Sequence, residues 1–225
     1  MPIVKKTVSA QKARALEVVQ RLEAEYPDAT CSLDYTNPVQ LMVSTILAAQ
    51  CTDERVNIVT KSLFKQYKNA KEFANAPAGE LEEAVRTCGF YRQKAKSIRE
   101  ACRDLVEKHG GKVPGSMEEL IKLRGVGRKT ANVLMAECFE PVGVIVDTHC
   151  KRLSNRLGFT TKSDPDKIEQ DIMKLLPREH WRMYSHCMVF HGRAVCNARI
   201  PRCSQCAVRD LCPFPDTREG KKIAR

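Results

Sequence analysis

Residues 120–135 read Leu-Ile-Lys-Leu-Arg-Gly-Val-Gly-Arg-Lys-Thr-Ala-Asn-Val-Leu-Met. Just upstream, Ser116 and Glu119 have the spacing of a capping box, which predicts a helix from Ser116 to Leu123. Gly125-Val126-Gly127 then permits a tight reversal that needs positive φ or a close backbone approach. A second helix is predicted to start near Arg128. Its first amides have no partner within the helix and point outward, where they can bind an anion. Such a helix-hairpin-helix, about residues 116–137, suits sequence-independent binding of a DNA backbone. Gly125, Val126, Gly127 and Arg128 are the candidate phosphate contacts. A lone G-x-G says little, and an αα-hairpin that only packs could use the same glycines. The full run L-x-G-V-G-x-x-T-A, with helical apolar spacing on both sides, is what favours binding.

Helical signals recur outward from this hairpin, and no alternating apolar run bounded by hairpin turns interrupts them. Ser9 can cap a helix with Leu16, Val19, Leu22 and Tyr26 on one stripe, stopped by Pro27. Asn37-Pro38 opens an apolar helix over Val39–Gln50, and Thr52 or Asp53 caps the next. Leu81, Ala84, Val85 and Cys88 form a stripe closed by Gly89; Ile98, Ala101, Cys102, Leu105 and Val106 form another, closed by Gly110-Gly111. Asp147-Thr148, Asp164-Pro165 and Pro177 mark later starts and stops. The expectation is an all-α protein of about ten helices, with only the last ten or so residues frayed.

Lys and Arg number 38 against 27 Asp and Glu, a formal charge of +11. Residues 178–225 hold ten of the bases and four of the acids, so the C-terminal fifth carries over half the surplus. A polyanion is the natural partner, since each neutralised phosphate releases counterions. Met1–Thr7 is polar and leads into no apolar segment, and no run approaches the roughly 18 apolar residues of a membrane span. Eleven cysteines, an odd number, are then expected as thiols or metal ligands in a reducing cytoplasm. Four of them, Cys196, Cys203, Cys206 and Cys212, follow C-x6-C-x2-C-x5-C in a proline-bearing stretch. Zinc held by four cysteines usually shows two C-x2-C knuckles, whereas one knuckle and longer gaps suit a wider [4Fe-4S] cluster. The residues favour the cluster and leave zinc open. The loop between the first two ligands carries Arg199 and Arg202, a candidate phosphate clamp.

Lys129 falls in the first turn of the second hairpin helix, where the helix dipole disfavours a cation. Free lysine has a pKa near 10.4, so about one in 2,500 is neutral at pH 7. The helix N-terminus, Arg128 and partial burial would each push it down and help make a nucleophile. Taken alone, Lys129 reads equally as a phosphate contact. Asp147, in Val-Ile-Val-Asp-Thr-His (144–149), reads as a helix cap or as a carboxylate stabilising positive charge on a sugar.

Together, LRGVGRKTANVL, VDTH with its aspartate eighteen residues after the lysine, and the four-cysteine spacing resemble the endonuclease III family. The resemblance runs from about Pro38 to Cys212 and includes LAAQCTD (47–53) and GFYRQKA (89–95). It implies two helical domains flanking a DNA-binding cleft. One is a six-helix barrel over residues 31–141 that holds the hairpin; the other combines residues 1–30 and 142–225 and carries a C-terminal [4Fe-4S] loop. It implies a DNA glycosylase and AP lyase of base excision repair, acting as a cytoplasmic, nucleoid-associated, prokaryote-like monomer on damaged double-stranded DNA. Lys129 would attack C1′ of a flipped oxidised pyrimidine nucleotide and Asp147 would assist. Gln50 would fill the space left by the base, Phe90 would wedge into the opposite strand, and His149 would lie at the lesion pocket. By themselves Gln50 reads as a helix-end polar residue and Phe90 as core.

Four positions depart from the familiar pattern. Phe90 stands where leucine is usual, Ile200 where the loop often has a basic residue, and Cys51 and Cys150 replace small or aliphatic residues. A glycosylase of the same fold without lyase activity would lack Lys129. A non-catalytic DNA-binding redox sensor would need neither Lys129 nor Asp147.

Overall fold

The computed structural model describes residues 8–224; the polar start Met1–Thr7 and Arg225 lie outside them. Among the described residues there are twelve α-helices, five short 3-10 turns and no strand. The all-α expectation holds. No described helix is long and apolar enough to cross a membrane.

The chain divides into two compact units. One runs Cys31–Val142, and the other joins the described residues up to Thr30 to those from Gly143 on. α1 (Val8–Glu25) belongs to the second unit and ends just before Pro27, as expected. Ser9 does not cap it, because the helix is already under way at Val8. Its buried stripe is Ala15, Val18, Val19 and Leu22, an i, i+3, i+4, i+7 set, while Leu16 and Tyr26 are only half-buried.

The first unit holds α2 (Pro38–Leu47), α3 (Asp53–Gln66), α4 (Ala70–Ala74), α5 (Glu80–Ala84), α6 (Tyr91–His109), α7 (Met117–Leu120) and α8 (Arg128–Cys138). Asn37 caps α2 by accepting from the Gln40 amide, with Pro38 in the first turn; Thr52 rather than Asp53 caps α3. Eight of the ten α2 residues are buried, so this helix is a core element packed by α3, α6 and α8. α6 also receives α4 and α5, and buries Ala95, Ile98, Ala101, Cys102 and Leu105 on one stripe. Gly110 in the left-handed region closes it, with the Gly111 amide donating to Leu105 O at 2.8 Å.

Two charges also sit on the buried side of α6: Lys94 and Asp104. Asp104 is 1 % exposed and accepts from the Arg124 amide (2.9 Å), Arg124 Nε (3.0 Å) and Nη2 (3.1 Å), and Lys108 Nζ (2.7 Å). It thereby clamps the residue just ahead of Gly125 onto α6.

The second unit adds α9 (Thr148–Arg156), α10 (Pro165–Leu175), α11 (Trp181–Ala194) and α12 (Gly220–Ile223). α1, α9, α10 and α11 share a core that includes Val19, Leu22, Leu153, Ile172, Tyr184 and Met188. Asp164 caps α10 ahead of Pro165, as its sequence predicts. The tail expected to fray is instead helical over Gly220–Ile223. Gly220 fits there because a Cβ would lie on the Phe214 carbonyl.

The guanidinium of Arg124, with help from Lys108, holds the Asp104 carboxyl well below the usual carboxylate range. A depressed carboxyl stabilises the fold fully above its unfolded pKa, near 3.9, and progressively less as pH falls below that. Asp104→Asn should cost about 2 kcal/mol at pH 7, held to that size because Arg124 and Lys108 are solvated. Thermal melts of both proteins should show the gap shrinking below about pH 4; a gap that stays constant down to that range and beyond would rule out ionic clamping.

Candidate functional site

The hairpin is shorter than its sequence suggests. α7 ends at Leu120, and residues 121–123 continue as tight turns, with the Lys122 and Leu123 amides donating to Glu119 O and Leu120 O, both at 3.2 Å. Ser116 caps α7 through the Glu119 amide, as the capping box predicts. Gly125 has φ +83°, and a Cβ there would stand 2.7 Å from Ser97 Cβ on α6. Both its conformation and its space exclude a side chain. Gly127 differs: φ is −88°, and a Cβ would meet nothing within 4 Å. The fold itself does not require a glycine at this position, which is open outward. Val126 is buried between them and plugs the turn against the unit.

No side chain caps α8. Arg128 and Lys129 occupy its exposed first turn. The partial burial expected for Lys129 is therefore not supplied by its own unit, whose surface it leaves.

Gln50 (φ +53°) and Phe90 (φ +45°) are the non-glycine residues with positive φ among the described residues. For such side chains this conformation costs about 1–2 kcal/mol and persists only where the surroundings impose it. Both are exposed. Phe90 is 69 % exposed, which overturns its reading as core. Gly89, expected to end the preceding helix in the left-handed region, has φ +69° but ψ 155°, so it is Phe90 that takes the left-handed position. Gln50, Phe90 and Gly125 line one open pocket, together with Thr45, Lys94 and Thr130. Sequence reading missed Lys94. The signal was a charge at i−4 from Ile98 on an otherwise apolar stripe.

In the other unit Asp147 caps α9, its Oδ1 accepting from the Cys150 amide at 2.7 Å. The bond fixes the orientation of the half-buried carboxylate. His149 lies two residues on, its Nδ1 3.1 Å from Arg152 Nη2, and its ring leaves no room for a Cβ at Gly192 of α11.

Cys196, Cys203, Cys206 and Cys212 all line one pocket. Among the described residues no three His, Cys, Asp or Glu side chains close on a single metal ion. Four thiols lining one pocket are the donor set that either a cluster or zinc would use, and their single C-x2-C knuckle with longer gaps suits the cluster. Two residues not singled out from sequence serve this pocket. Arg156, 8 % exposed, donates from Nη1 to Cys196 Sγ (3.3 Å) and Asn197 O (2.7 Å), and from Nη2 to Ala198 O (2.8 Å). His191 is buried between Tyr26 Oη (3.0 Å) and Cys206 Sγ (3.3 Å). Burial pushes His191 down to about 4 and the Tyr26 phenol up to about 12. A neutral imidazole thus links the phenol to sulfur in one hydrogen-bond chain, whose direction is set by its tautomer. Burial raises the Cys206 thiol and pushes Cys212 up to about 11, so thiolates here need strong positive charge beside them. Arg199, Ile200 and Arg202 stand exposed on the loop so held, closed by the Arg202 amide on Val195 O at 2.9 Å.

Residues 43–178 match the family described as HhH-GPD superfamily base excision DNA repair protein. Endonuclease III of Synechocystis sp. is 53 % identical over 207 residues, covering 92 % of this chain and 94 % of its own. A non-covalent endonuclease III–DNA complex and a trapped endonuclease III–DNA covalent intermediate each superpose with TM-score 0.86 at 42 % identity. Each covers 94 % of this chain and 97 % of the other. The chain belongs to the HhH-GPD superfamily and, within it, to the endonuclease III family.

The two hairpin glycines should separate by substitution. Gly125→Ala should cost at least about 2 kcal/mol, from the strained φ and the clash with Ser97. Gly127→Ala should cost about 1 kcal/mol or less, the ordinary difference at an N-cap. Denaturant melts check both, and equal losses would refute the assignment.

Proposed function

We propose that Lys129 is the nucleophile and Asp147 the assisting carboxylate of a bifunctional reaction on oxidised pyrimidines in damaged double-stranded DNA. Family membership makes the chain a DNA glycosylase with AP lyase activity in base excision repair. The observation that carries the finer reading is Lys129 itself. It is an exposed cation in the first turn of an uncapped helix, where the dipole disfavours it unless a negatively charged ligand is present.

The target nucleotide leaves the stack, since its C1′ is inaccessible within the duplex. The neutral Lys129 amine attacks C1′, the glycosidic bond breaks, and the base departs with its electron pair. Asp147 stabilises the positive charge that builds on the sugar and can accept the proton released from the amine. The opened sugar holds Lys129 as a Schiff base. Loss of a C2′ proton then expels the 3′ phosphate, and water releases the enzyme. Bound DNA, not the protein's own unit, supplies the desolvation that the amine needs. Gly125, Val126, Gly127 and Arg128 cradle a backbone phosphate, the open face at Gly127 allowing close approach. Gln50 enters the vacated space, Phe90 wedges into the opposite strand, and His149 lies beside the lesion. The protein acts as a monomer in the cytoplasm.

Cys196, Cys203, Cys206 and Cys212 would hold a [4Fe-4S] cluster, which supplies a rigid structural knot. Arg156 steadies the same loop from within and leaves Arg199 and Arg202 to meet phosphates.

Borohydride trapping on a duplex with one thymine glycol tests the chemistry. A covalent adduct is expected in the wild type and absent in Lys129→Ala, which should still bind DNA; an adduct in that variant refutes the nucleophile. Asp147→Asn keeps a good cap and removes only charge, so base release should fall by roughly a hundredfold or more while melting is unchanged. Purified protein should be brown with about four irons per chain, and stoichiometric zinc would overturn the cluster.

A further inference from the structure

Lys94 is 5 % exposed and lies one turn inside α6. Its Nζ donates to Leu47 O at 2.8 Å and to Cys88 O at 2.7 Å. Each acceptor is an end carbonyl: Leu47 is the last residue of α2, and Cys88 ends the 3-10 turn Arg86–Cys88. Such carbonyls lack a helical partner and carry the negative end of the helix dipole, so one ammonium satisfies two of them at once. The acceptors are also the bases of two short loops. Gln50 follows Leu47 by three residues and Phe90 follows Cys88 by two, and these two side chains hold the left-handed backbone described above. The Lys94 amide itself donates to Phe90 O at 3.0 Å.

We propose that Lys94 is a positioning residue whose ammonium locks the Gln50 and Phe90 loops to one another, keeping both side chains presented toward DNA before it binds. The proposal rests on the reading that these two residues enter the duplex. A residue without a donor at 94 would leave two buried carbonyls without the ammonium that pairs them, and the strained conformations without that tie. The lock lets the loops meet DNA already ordered, so binding need not supply the ordering.

The test is a double-mutant cycle on the full chain, with Phe90→Ala, Lys94→Met and both together, run at a temperature where melting shows each folded. Single-turnover base release from thymine glycol is compared with strand cutting at a preformed abasic site. Lys94→Met should slow base release by about tenfold or more, in line with the effect of misplacing a recognition group, and slow abasic cutting less. The double variant should be no slower than the slower single. Multiplicative losses, or equal losses on both substrates tracking the folded fraction, overturn the lock while leaving the wedge reading intact. An unaffected Phe90→Ala removes the wedge reading and the lock with it. Should Lys94→Met not fold, Lys94→Gln, which loses the charge and is too short to bridge both carbonyls but keeps a polar group at the buried site, replaces it in the same cycle, and the same slowing of base release and the same non-multiplicative outcome are required.

Discussion

Buried charge on α6 organises one whole side of the Cys31–Val142 unit. Lys94 gathers the carbonyl ends of α2 and of the turn before Phe90. One turn on, Ser97 forms the seat into which only a glycine at 125 fits. Further along the same helix, Asp104 grips Arg124 by backbone and side chain. A single rigid element thus sets the positions of three loops that have little internal structure of their own. Because buried ions without partners are costly, each anchor is specific. The loops cannot relax without leaving a charge or a carbonyl unpaired.

The other unit meets a different constraint, that of holding four thiols in a segment too short for a core of its own. Its solution is to reach in from neighbouring helices. Arg156 on α9 satisfies two carbonyls of the loop and donates to Cys196 Sγ, with its guanidinium 4.4 Å over the Phe214 ring. Arg14 on α1 donates to Leu157 O and Leu211 O, and Arg21 binds Asp210. His191 and Tyr26 bring a neutral hydrogen-bond chain to Cys206. The basic surplus of this region therefore divides into two populations. Some guanidinium groups are spent internally on carbonyls, and others, Arg199 and Arg202 among them, face solvent.

The misreadings share a physical cause. Phe90 looked like core because a large aromatic usually is, yet a left-handed backbone turns it outward. Of the two reasons the sequence offers for glycine in this turn, positive φ applies at Gly125, whereas Gly127 has an ordinary φ and open space beside it. Lys129 was expected to be partly buried, and its own unit leaves it exposed. Leu16 was assigned to a stripe that belongs to Ala15 and Val18, because small residues carry a weak apolar signal. In each case the deciding quantity was which way a residue faces, a property of the packed neighbours.

Local chemistry made much of the protein legible from its sequence. Helix class follows from apolar spacing, helix starts follow from Asn37, Thr52, Ser116 and Asp164 beside their first amides, and the reversal at Gly125 follows from glycine's access to positive φ. These depend on atoms within a turn of one another. The buried partnerships of Lys94, Asp104, Arg156 and His191 joined residues as many as 165 positions apart. Their sequence trace was only a charge or an imidazole on an apolar stripe, which names no partner. Tertiary structure chose the partners, since a buried ion takes whichever carbonyl or carboxylate the fold brings within about 3 Å of it, and that distance is set by packing across the whole unit.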